Sequence, residues 1–153
     1  MVKVVDKNDF TVSKEDIIDY LENSIYKNRY KVYDTFLGQE DTRWKRGQKY
    51  KFQQSLVASE LNYFAYIKFY LDKDKKIALV AGKSGSKRVN TTSGCDLSFS
   101  TKPEHGEARK WLLKKGKCWC QTEIIIIWTK TASEKEAFDI ERNLQKKFDL
   151  FGS

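Results

Sequence analysis

One glutamate, Glu141, occupies a position where a solvated charge is not expected. It lies in the segment 133–152, SEKEAFDIERNLQKKFDLFG, in which apolar residues recur at helical spacing. On a helix Glu141 shares the apolar stripe with Ala137 and Leu144. A carboxylate at the margin of a core needs a partner, either a basic side chain or a cation. If the partner is a cation, Glu141 is a metal ligand and the protein is a candidate enzyme.

A second group of chemically informative residues lies in the segment 43–52, RWKRGQKYKF, which holds five positive charges, no acid and three aromatic rings. Such segments contact phosphates through their cations and stack rings on bases. The nucleic-acid contacts that we expect are Arg43, Trp44, Lys45, Arg46, Lys49, Lys51 and, at the start of a later loop-like region, Lys87. A twisted strand with one solvated and one packed face explains the segment equally well.

The composition sets the broad class. The chain has 153 residues, 40% of them hydrophobic, and a net charge of +8. This charge favours a protein that binds a polyanion such as DNA over a protein that is merely rich in lysine for solubility. No apolar run reaches membrane-spanning length, and the first ten residues lack the layout of a secretion signal. We therefore expect a cytoplasmic protein of one domain with no membrane partner.

Several other chemistries fit the residues poorly. The cysteines Cys95, Cys118 and Cys120 are odd in number, and the last two are too closely spaced for a zinc knuckle. The single histidine, His105, excludes a ββα-metal nuclease site that needs several. The run 83–86, KSGS, lacks the frame of a phosphate-binding loop.

The elements that would position these residues follow from periodicity and from capping and turn signals. We predict helices at about 13–26, 104–115 and 133–152, a hairpin of strands 63–71 and 76–82, and an apolar strand at 123–128. The predicted class is α+β, with a small mixed sheet of a hairpin plus a third strand flanked by helices. Residues 1–60 form a helical and basic N-terminal extension, and residues 61–153 form the core.

The order and spacing of the last ninety residues resemble a GIY-YIG nuclease domain. The motif Ala137-x-x-x-Glu141-x-x-Leu144 is similar to the family's last helix, in which a glutamate binds the metal. The run 80–84, VAGKS, stands in the place of the YIG tripeptide and a following lysine, and Tyr66 stands where GIY is expected. This sequence departs from the pattern in two ways, because the first tripeptide lacks its glycine and Val80 replaces the second tyrosine.

The resemblance implies a catalytic set for phosphodiester hydrolysis. Its members are Glu141 as the ligand of Mg²⁺ or Mn²⁺, Lys83 as a phosphate contact, a tyrosine as proton relay and an arginine on the phosphoryl oxygens. The arginine is Arg109, on a predicted helix, with Arg88 as the alternative. The tyrosine is Tyr66, with two alternatives left open, Tyr63 and Tyr70. Strand alternation places Tyr66 and Tyr70 on one face and Tyr63 on the other.

The expected function is therefore that of a magnesium-dependent endonuclease that cuts double-stranded DNA, in a restriction, defence or mobile-element setting. Cutting both strands with a one-metal site requires a homodimer or sequential nicking. One rival is a catalytically inactive nucleic-acid-binding module of the same fold, and another is a basic protein-interaction module. A structural ion pair between Glu141 and Arg109 is the alternative to a metal site.

Overall fold

A computed structural model describes residues 10–36, 63–85, 107–116, 121–127 and 133–152. These residues form three helices and five strands. The helices are α1 (Lys14–Glu22), α2 (Glu107–Lys114) and α3 (Glu134–Phe148). The strands are β1 (Tyr30–Phe36), β2 (Tyr63–Asp72), β3 (Lys75–Gly85), β4 (Gln121–Ile127) and β5 (Phe151–Gly152). The predicted α+β class, the hairpin and the third strand are confirmed.

The strands form one mixed sheet in the order β1-β4-β2-β3-β5. Strand β2 pairs antiparallel with β3 in the hairpin and with β4 on its other side, while β1 pairs antiparallel with β4. Strand β5 pairs parallel with β3. The sheet is larger than predicted, because β1 comes from residues 1–60, which were predicted to form an extension outside the core, and β5 forms after the last helix. Residues 30–36 therefore belong to the sheet.

The hairpin contains a tight turn and a bulge. Asp72 pairs with Lys75, so the turn is shorter than the four residues 72–75 that separate the two predicted strands, and Lys73 adopts a φ of 57° within it. The register then shifts from Lys68 opposite Val80 to Phe69 opposite Ala78. Strand β3 thus carries one extra residue, an arrangement that bends the strand and increases its twist.

One face of the sheet is covered by α1 and α3, and we call it the α1/α3 face. Alternation along β2 directs Ala65, Ile67 and Phe69 to this side. Their small partners on β3, Ala78 and Ala81, leave room for a helix to approach closely. The two helices also contact each other, because the rings of Tyr20 and Phe148 meet edge to face at 5.0 Å between centroids.

The opposite face, which we call the α2 face, receives the large side chains of β2. They are Phe64, Tyr66, Lys68 and Tyr70, and all of them are buried. Helix α2 packs here through Trp111. The centroid of its ring lies 5.5 Å from the ring centroid of Tyr70 and 5.0 Å from that of Phe10. The central strand is therefore covered on both sides, which explains why its sequence is a nearly continuous apolar run.

The helix starts follow the predicted caps. Ser13 and Asp16 form a reciprocal capping box at α1, and the Ser133 hydroxyl accepts the Glu136 N–H at α3. Helix α1 ends at Glu22, earlier than predicted, because the chain turns through Asn23 into a loop toward β1. Within the described part of the chain, none of the helices is long and apolar enough to cross a membrane.

Candidate functional site

Glu141 lies on α3 at the margin of the core, as its spacing predicts. Ala137 and Leu144 beside it are buried, whereas Glu141 itself is only partly buried. Burial raises the pKa of the Glu141 carboxyl, and a hydrogen bond from Gln145 and the charges of Lys83 and Arg142 act in the opposite direction without cancelling it. The protein neighbours of Glu141 therefore do not fully offset the cost of burying its negative charge.

Gln145 fixes the orientation of this carboxylate. Its amide nitrogen Nε2 donates to the Ala81 carbonyl oxygen at 2.9 Å and to Glu141 Oε1 at 3.0 Å. The amide has two protons, so one side chain can make both bonds and join α3 to β3. Gln145 was not among the residues predicted from sequence, although its position four residues after Glu141 is a common spacing for side-chain pairs on a helix.

Lys83 lies on the same side of the sheet as Glu141. It pairs with Ala65 on β2, which places it on the α1/α3 face. Its Nζ is 3.5 Å from Glu134 Oε1 at the start of α3, and its charge opposes, without cancelling, the rise that burial causes in the pKa of Glu141. The structure thus brings together two of the residues that the sequence analysis selected.

The three candidate tyrosines divide between the two faces. Tyr66 is only 1% exposed and lies on the α2 face, with Lys68 Nζ 5.1 Å from the centre of its ring. Tyr70 lies on the same face, where its hydroxyl donates to the Phe10 carbonyl oxygen at 3.3 Å. The structure does not bring Tyr66 to Glu141. Tyr63 is only partly buried, and alternation places it on the α1/α3 face, diagonal to Lys83.

The preferred arginine belongs to the opposite side of the sheet. Arg109 is part of α2, which packs through Trp111 on the α2 face, so the helices that carry Arg109 and Glu141 cover different faces. The description of the structure does not extend to the Arg109 side chain. The remaining selected residues, Arg88, Lys87, Arg43, Trp44, Lys45, Arg46, Lys49 and Lys51, lie outside the described residues. Their roles stay predictions.

The donor set at Glu141 limits the kind of cation that fits. Among residues 10–36, 63–85, 107–116, 121–127 and 133–152, no three histidine, cysteine, aspartate or glutamate side chains group as a metal cage. Mg²⁺ dehydrates reluctantly and is commonly held by one or two carboxylates while it keeps several waters. A single, partly exposed carboxylate that is fixed by a neighbouring amide fits this mode of binding.

Comparison with known proteins adds no relative. No family model matches the chain, and neither a curated protein nor a solved structure matches it. The resemblance to GIY-YIG nucleases therefore rests on the residues of this sequence alone.

Proposed function

We propose that the protein is a metal-dependent endonuclease that hydrolyses DNA phosphodiester bonds. The observation that carries this proposal is the arrangement at Glu141. A partly buried carboxylate, held by the Gln145 amide, lies on the same face as the Lys83 ammonium group. A carboxylate can hold the cation and an ammonium group can contact the phosphate, and both kinds of group stabilise the charge that develops in phosphodiester hydrolysis.

Each residue then has a defined task. Glu141 holds Mg²⁺ or Mn²⁺, which would supply charge neutralisation and a more acidic water. Lys83 contacts the phosphate, and Tyr63 replaces Tyr66 as the candidate hydroxyl because it is the one of the three tyrosines on the α1/α3 face. The basic segment 43–52 and Lys87 contact the DNA backbone. Arg88 replaces Arg109 as the candidate arginine, because the helix that carries Arg109 covers the opposite face of the sheet. Cleavage of both strands uses two protomers or sequential nicking.

A cleavage assay tests the proposal. Purified protein is incubated with supercoiled plasmid and Mg²⁺ or Mn²⁺, alongside Glu141→Gln. Loss of the metal ligand should lower the rate by at least ~10³-fold, since it removes the metal and the groups it activates. Asp139→Asn is the matched control, because it removes an exposed acid from the same helix. Equal cleavage by the wild type and Glu141→Gln would exclude this site.

The division of the selected residues between two faces favours a second candidate. A binding module that retains the fold but lacks chemistry has no need to place Tyr66 and α2 beside Glu141. Salt-dependent DNA binding without cleavage in either metal would support this alternative. Absence of salt-dependent binding to any nucleic acid would instead support the basic protein-interaction module.

A further inference from the structure

Phe138 is an exception among the aromatic residues of the described chain. It is 42% exposed on α3, whereas Phe10, Phe64, Phe69 and Phe151 are at most 5% exposed. The guanidinium carbon of Arg142, one helical turn later, lies 5.4 Å from the centre of the Phe138 ring. The Arg142 cation therefore lies over one face of the Phe138 ring, and both groups are exposed at the helix surface.

This pair adjoins the site proposed above. Phe138 precedes Glu141 by three residues and follows Glu134 by four, so it lies on the helix surface between them. Glu134 is paired with Lys83, and Asp139 is paired with Lys135 at 3.3 Å. Ion pairs thus offset the charges of two neighbouring acids, which lowers the repulsion that a nucleic-acid phosphate would meet beside Arg142.

The chemistry of the pair selects its ligand. Phe138 is the one exposed ring among the described residues of α3, which is too little apolar area for a protein interface. A base can stack on the part of the ring that Arg142 leaves exposed. A guanidinium group beside the ring can contact the phosphate of the same nucleotide. Bases within a duplex are already stacked on their neighbours, so an isolated ring on a helix can be used only by a base that has left the stack.

We propose that Phe138 and Arg142 form a stacking subsite for an unpaired nucleotide next to the Glu141 and Lys83 site. This inference rests on the proposed function and narrows its substrate class to single-stranded DNA, or to duplex DNA with a single-stranded branch or overhang. The unpaired base stacks on Phe138, and its phosphate contacts Arg142. The adjoining phosphodiester is thereby directed toward Lys83 and Glu141.

The test is binding in EDTA, measured by fluorescence anisotropy with a labelled single strand and with the duplex of the same sequence. Phe138→Ala should weaken single-strand binding by about 5- to 100-fold and duplex binding by less than about twofold. Phe138→Trp should retain tight binding, and its added indole emission should be quenched by the single strand. Arg142→Gln should weaken binding more than Lys114→Gln, which removes one exposed charge from α2.

The results separate the two proposals. Equal single-strand affinity of the wild type and Phe138→Ala overturns the subsite, even if Glu141→Gln abolishes cleavage and so supports the nuclease. Selective loss of single-strand binding in Phe138→Ala supports the subsite, even if no metal produces cleavage and the proposed hydrolysis fails. An equal loss for single strand and duplex also overturns it, since stacking on an unpaired base would not weaken duplex binding.

Discussion

The two faces of the sheet are built from the same strands but have different chemical content. On the α1/α3 face, alanines on β2 and β3 let α3 approach the sheet, and Lys83, Gln145 and Glu141 lie at the edge of this contact. On the α2 face, tyrosine and tryptophan rings fill the space between α2 and the sheet, and Tyr66 is sealed from solvent. A polar cluster that solvent can reach is suited to chemistry, whereas a packed aromatic layer is suited to stability.

This difference predicts that the two faces respond to different substitutions. Substitutions in the buried layer of the α2 face should change the free energy of unfolding without changing the chemistry, whereas substitutions in the polar cluster of the α1/α3 face should change activity. The variants below test that division, from the largest expected effect to the smallest.

Trp111→Ala should lower the free energy of unfolding by about 3–5 kcal/mol, because it empties a fully buried site between Phe10 and Tyr70. Urea denaturation measures the change. Leu113→Ala is the control on the same helix, since Leu113 is 62% exposed and its loss should cost no more than about 0.5 kcal/mol. Similar losses in both variants would mean that α2 does not pack on the sheet through Trp111.

Removing a tyrosine hydroxyl should slow cleavage only if the tyrosine lies on the α1/α3 face. Tyr63→Phe should lower the cleavage rate by about 100-fold if its hydroxyl takes part in proton transfer. Tyr66→Phe is the same chemical change on the opposite face of β2, and it should alter the rate by less than about twofold because that side chain is inaccessible. Plasmid cleavage rates measure both effects. A larger loss of rate in Tyr66→Phe than in Tyr63→Phe would assign the proton transfer to Tyr66.

Gln145→Leu should destabilise the protein by about 1–3 kcal/mol, since it leaves the Ala81 carbonyl and the Glu141 carboxylate without their shared donor. As a positioning residue, Gln145 should also affect metal affinity. The control is Lys146→Leu, which makes a similar change at an exposed neighbouring position. Thermal unfolding with and without Mn²⁺ measures both effects, and an unchanged metal-induced shift would argue against a positioning role.

Much of the fold follows from sequence because local signals agree with tertiary packing. The serine caps, the hairpin and the apolar spacing of α3 each predict an element that the structure contains. Strand β5 has two residues and depends on its parallel pairing with β3, so no local signal predicts it. The candidate site was predicted only in part. Helical spacing selects Glu141 and the resemblance to GIY-YIG nucleases selects Lys83, but neither reveals which face of the sheet each helix covers.

The titration of Glu141 should give the smallest effect. Because burial raises its folded-state pKa, the folded protein holds the proton more tightly than the unfolded chain does. The associated stability is present at acid pH and is lost as the pH rises from the ordinary carboxyl range through the folded pKa. In EDTA, Glu141→Gln should gain stability relative to the wild type between about pH 4 and pH 7. Urea denaturation at both pH values would contradict the raised pKa if the difference between the two proteins stayed constant.

The most direct measurement is the binding of Mn²⁺ to the protein in the absence of DNA. Electron paramagnetic resonance measures the Mn²⁺ that stays free in solution. The wild type and Asp139→Asn should each bind one Mn²⁺ with the same affinity, and Glu141→Gln should lose that site. Mn²⁺ binding by Glu141→Gln that equals wild-type binding would contradict the assignment of Glu141 as the metal ligand.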